Sequence, residues 1–73
     1  MAIRLPSRVN LSSTGSAVPL AAVRAALGAS RQSLMNWRRR HGFPRSFNIG
    51  HGWFLDRVAV EQWLRARGVE IVT

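Results

Sequence analysis

Residues 25–42 read AALGASRQSLMNWRRRHG. Leu27 closes a set of apolar positions, Leu20, Val23 and Leu27, that recur at i, i+3 and i+7, the spacing of one helix face. Pro19 suits the first turn of that helix, and Gly28 suits its left-handed stop. Only Ala29 separates Gly28 from Ser30, a good N-cap, after which a second helix is predicted to run to about His41 and to end at Gly42. Two short helices joined by a tight glycine-containing turn make the helix-turn-helix pattern.

Downstream of this stretch, Phe43-Pro44 resists helix. Phe47 and Ile49 alternate about Asn48, Gly50-His51-Gly52 reads as a turn, and Trp53 and Leu55 alternate about Phe54, so a small hairpin is predicted where a wing would stand. Asp56 is placed to cap a third helix, with Leu55 and Val60 as a hydrophobic staple around it. That helix carries Val60, Trp63 and Leu64 on one stripe, sets Glu61 before Arg65 at i, i+4, and stops at Gly68. Upstream, residues 1–18 mix Ser, Thr, Gly and Pro with scattered apolar residues and read as an arm. Within it Val9 and Leu11 have the spacing of a short strand, for which the β-branched end VEIVT is the candidate partner. The predicted fold is mainly α with a small β-hairpin: a winged helix-turn-helix in the order helix, turn, helix, wing, helix. Its divisions are an N-terminal arm over 1–18, the folded domain over 19–68, and a tail or short strand over 69–73.

Seventy-three residues hold one small domain. A chain of this size buries only about 60% of the surface its unfolded form exposes, so a water-excluding catalytic pocket is not expected and binding is favoured over chemistry. Eleven basic residues stand against three acidic ones, a net charge of +8, and all eleven are Arg. A guanidinium presents a planar fork of donors that matches phosphate oxygens and guanine edges, which points to nucleic acid. No acid precedes Asp56, so the excess charge lies ahead of the third helix, where it steers the molecule toward a polyanion and makes binding salt-dependent. The chain has no Cys, which excludes disulfides and thiolate zinc sites. His41 and His51 with only Asp56 near them do not make a metal site, and no nucleophile stands at a readable distance from a base and an orienter. No enzyme activity, metal or cofactor is therefore expected. The longest apolar run, Ala17 to Val23, is interrupted by Pro19, so neither a signal peptide nor a membrane span is expected and the cytoplasm is the expected compartment.

On a helical wheel with Leu34 at zero, Trp37 and His41 fall at about 300° and 340°, the inward side. Gln32, Asn36 and Arg39 fall opposite, at about 160°, 200° and 140°. Asn and Gln can bond adenine bidentately and Arg can bond guanine, and a helix about 16 Å long fits the major groove. A solvated helix face is the plain alternative for such a stripe, but it would carry compensating acids, and none is present. Gln32, Asn36 and Arg39 are accordingly the candidate base readers. Arg31 at the helix start, with Ser30 and Ser33 beside it, is placed to join free N–H groups on a phosphate. Arg40, which with Met35 flanks the stripe, Arg38, near the buried edge at about 40° and placed to snorkel toward a phosphate, Arg45 after Phe43-Pro44, and His51 at the hairpin tip complete the candidate phosphate or flanking contacts. Trp37 and Trp63 lie on apolar stripes and are expected to fill the core, whereas Trp53 keeps a surface role.

The run from Ala25 to Gly68 resembles the AlpA-type prophage regulators and excisionase-like proteins, small winged-helix DNA binders related to the MerR group. The marks of resemblance are Gly28, Ser30, Trp37, Phe43-Pro44, the Gly50 to Gly52 wing, and Val60-Glu61-Gln62-Trp63-Leu64. The resemblance implies double-stranded DNA as partner, with the second helix in the major groove and the wing beside it. It also implies a transcriptional regulator of phage or mobile-element type. An excisionase or DNA-packaging recognition subunit is the alternative on the same fold, and a nonspecific nucleic-acid or protein adaptor the more distant one. Wings in these proteins often carry Arg or Lys, whereas this one offers only His51, so the Arg-bearing arm is a candidate substitute in the minor groove. One recognition helix contacts few base pairs, so a homodimer or cooperative assembly on DNA is expected, with Val9 to Leu11 and Val69 to Val72 as the candidate contact.

Overall fold

In the computed structural model, which describes residues 4–11 and 15–72, the apolar spacing of Leu20, Val23 and Leu27 becomes helix α1, Leu20–Leu27, with Val23 and Leu27 buried. It ends at Gly28, whose φ of 61° is the left-handed conformation that side chains with a Cβ adopt only at a cost. Helix α2, Arg31–His41, starts where the Ser30 hydroxyl accepts a bond from Ser33 N–H at 3.1 Å, satisfying one of the free donors of the first turn. It ends at Gly42, past which Phe43 N–H donates back to the Trp37 carbonyl at 3.2 Å. Helix α3 spans Arg57–Ala66 and buries Val60, Trp63 and Leu64.

The hairpin is formed by β3, Phe47–Ile49, and β4, Gly52–Asp56, in antiparallel register with Ile49 opposite Gly52. Its turn is therefore Gly50-His51 alone, shorter than expected, and Gly50 has a φ of 59°, as the first position of a type II′ turn requires. A further strand, β2, Ala17–Pro19, pairs antiparallel with β4 on its other side, placing Val18 opposite Leu55. The wing is thus one edge of a three-stranded sheet in the spatial order Ala17–Pro19, β4, β3. Pro19 lacks a donor and is tolerated because its strand lies at the sheet edge. Three helices with this small sheet make the winged helix-turn-helix arrangement.

Two expectations need correction. Asp56 is the N-cap of α3 by position, with extended backbone, but its side chain makes no capping bond. It remains paired with Ala17 as the last residue of β4, and Arg57 N–H is instead satisfied by the Ser16 carbonyl at 2.8 Å. The second correction concerns the arm. The strand expected at Val9 and Leu11 and its pairing with the VEIVT end are present, as β1, Arg8–Asn10, running parallel to β5, Glu70–Val72, with Val9 opposite Ile71; because Val9 and Leu11 are buried, this part of the arm is built into the fold. Burial of each such side chain stabilises by roughly 1.5–3 kcal/mol before entropy is counted, so these residues do not form a free arm. Of the residues expected to meet a second copy, Val9, Leu11 and Val69 are turned into the chain's own core, whereas Asn10 and Glu70 are exposed and Ile71 and Val72 half-buried. Of the two arginines expected to make the N-terminal segment a minor-groove arm, Arg8 is paired with Glu70 at 2.9 Å and Arg4 is exposed ahead of the strand, while residues 1–3, 12–14 and 73 lie outside the described residues. Val9, Val18, Val23, Leu55, Val60 and Leu64 form the fully buried centre, where the Leu55 and Val60 of the expected staple sit together around the start of α3.

Candidate nucleic-acid interface

The second helix is braced from below by aromatic packing. Trp37 stacks on Trp63 of α3 with centroids 5.8 Å apart, and Phe43 meets both rings edge-on, at 6.0 Å and 4.8 Å. Trp63 Nε1 donates to the His41 carbonyl at 2.8 Å, and Arg67 donates to the same oxygen at 2.9 Å while its guanidinium lies 4.5 Å from the centre of the Trp63 ring. The last turn of α2 is thus tied to the end of α3, fixing which face of α2 points outward. At the other end, the Arg24 guanidinium reaches the Ala29 carbonyl at 3.4 Å across the inter-helix turn. Trp63 is buried as expected, while Trp37 is only half-buried against the core and Trp53 is 50% exposed.

The outward face carries Gln32, Asn36 and Arg39, all exposed along one stripe. Arg40 flanks them on one side and Arg31 and Arg38 lie further round on the other, all three exposed, and Ser33 is half-buried, with its hydroxyl 3.1 Å from that of Ser30. Arg31 and Arg38 are brought together with Arg45 around a groove of about 640 Å³ between α2 and the hairpin. The floor of this groove is apolar, made by Leu20, Leu34, Phe43 and Leu55 among others, and no acid lines it. His51 stands exposed at the hairpin tip and is not among the residues of the groove. The ion pairs of Arg8 with Glu70 at 2.9 Å and of Arg65 with Glu61 at 3.8 Å lie elsewhere, the latter at the i, i+4 spacing seen in the sequence. Neither of these pairs involves the exposed arginines of α2.

The wheel of α2 gave no sign of the groove, because Trp53 and Phe47 reach it from the hairpin. The clasp of Arg67 on the His41 carbonyl had no sequence signal either, since its acceptor is a backbone atom 26 residues away.

A family model described as a helix-turn-helix domain matches residues 20–68. The chain belongs to the helix-turn-helix domain family. This family includes AlpA-like and excisionase-like proteins, and membership implies DNA binding. No curated protein and no solved structure matches the chain. The match takes in both helices of the motif, the wing and α3, so every residue of the outward stripe and every arginine of the groove falls inside the helix-turn-helix domain. No helix among the described residues is long and apolar enough to cross a membrane.

Proposed function

We propose that this chain is a sequence-specific double-stranded DNA-binding protein that acts as a transcriptional regulator, of phage or mobile-element type by its resemblance to AlpA-like proteins. The observation that carries the reading is the acid-free stripe of Gln32, Asn36 and Arg39, exposed on a helix whose opposite side is clamped by Trp63 and Arg67. In this reading the stripe enters the major groove and bonds base edges. Arg31, Arg38, Arg40 and Arg45 hold phosphates with Ser30 and Ser33 at the helix start, and His51 touches the flank. Copies bind half-sites about one helical turn apart, because one small module covers too few base pairs to define an operator.

Selection of bound sequences from a random duplex pool tests the reading. A defined motif is expected, and two half-sites on one duplex should bind more tightly per site than one. Enrichment of no sequence would overturn specific recognition and leave a nonspecific nucleic-acid binder.

A further inference from the structure

Three of the exposed large apolar side chains, Met35, Phe47 and Trp53, line the groove between α2 and the hairpin, and Met35 is the most exposed of them at 53%. Single apolar residues scattered on a surface are ordinary, but three that line one groove together with three arginines mark a binding surface. These arginines and apolar side chains together define an occupant that is anionic along its edge and apolar where it meets Met35 and Trp53. Position on the helix narrows this further. Met35 lies at about 100° on the wheel, with Arg31 and Arg38 at about 60° and 40° on one side and Arg39 at about 140° on the other. The groove is therefore continuous with the stripe assigned to base reading. A duplex seated on that stripe carries a phosphate strand past the three arginines and its base edges past Met35. The apolar group that a duplex offers on its major-groove edge is the thymine C5-methyl.

We infer that Met35 is a specificity-determining residue that packs on a thymine methyl, with Trp53 and Phe47 forming the apolar far wall of the groove. The inference rests on duplex reading by α2 and adds a position at which thymine is preferred without a hydrogen bond. It separates thymine from cytosine by shape and hydrophobicity, where Gln32, Asn36 and Arg39 use donors and acceptors.

The test takes the duplex recovered by selection and replaces each thymine in turn by deoxyuridine, which removes the methyl and nothing else. Loss of one methyl contact corresponds to about fourfold in affinity. The full chain should lose about that factor at one position of each half-site. Met35→Ala should bind the thymine and deoxyuridine duplexes equally there, Met35→Leu should restore the difference, and Asn36→Ala should bind both more weakly while keeping their ratio. Met35 is exposed, so its replacement leaves the core untouched, and a circular dichroism spectrum verifies the fold. Wild-type indifference to every replacement, or a Met35→Ala variant that keeps the fourfold ratio, overturns the inference alone. Failure to recover any preferred duplex overturns it together with the proposed function.

Discussion

Without its hydroxyl, residue 30 would leave the Ser33 N–H at the start of α2 unpaired. Ser30→Ala should therefore cost about 1 kcal/mol, visible as a fall in Tm of about 4–8 °C for a domain of this size. The tryptophans separate on the same grounds. Trp63 is buried, stacked on Trp37 and bonded to the His41 carbonyl, so Trp63→Ala should cost about 3–5 kcal/mol. Trp37 is half-buried, so Trp37→Ala should cost less, and Trp53→Ala should leave the melting curve within about 0.5 kcal/mol of wild type. Thermal melts of the three variants check the order, and a Trp53 variant as unstable as the Trp63 variant would put that ring in the core. Helical spacing alone placed Trp37 and Trp63 on inward stripes, because a turn of 100° per residue is a local property. It could not separate their depths, since the wheel has no information on how far α3 covers each ring.

At the level of elements, α1, α2 and α3 were readable because their starts and stops are set by neighbours in sequence: Ser30, Gly28, Gly42 and the apolar stripes. The strand Ala17–Pro19 was not. Three residues carry no measurable alternation, the partner of Val18 is Leu55 far along the chain, and Pro19 has two roles at once, ending the strand and preceding α1. For the same reason the outward stripe of α2 was legible, while the groove, whose walls come from two elements, was not. That stripe and groove are expected to behave differently toward DNA. Asn36→Ala should lose about 1–3 kcal/mol on the selected duplex and little on a random one. Arg38→Ala and Arg45→Ala should weaken both duplexes alike and reduce the slope of log affinity against log salt by about one unit each. Fluorescence anisotropy at a series of salt concentrations measures both quantities; equal weakening of both duplexes by Asn36→Ala would remove α2 as the reading element.

At the scale of the whole molecule, the core is wider than the family match. Val9, Leu11, Val18 and Val69 lie outside residues 20–68, and they are four of the twelve buried hydrophobic side chains among the described residues. A domain of this length has only about 3–5 kcal/mol in hand, less than those side chains contribute at roughly 1.5–3 kcal/mol each. A fragment of residues 20–68 should consequently be unfolded at 25 °C, whereas the full chain melts cooperatively; a native-like spectrum from the fragment would show the terminal strands to be dispensable. The pairing of Arg8–Asn10 with Glu70–Val72 joins positions 62 apart in parallel, with Arg8 opposite Glu70 and Asn10 opposite Val72. Tension applied at the two ends of the chain would pull one strand by its first residue and the other by its last, along opposite directions of a common axis. Such a load shears all the bonds between the strands together instead of peeling them one at a time, and the rate of opening under force is then that of one concerted rupture. The seam that closes the core also makes the domain mechanically stiff along the line between its ends.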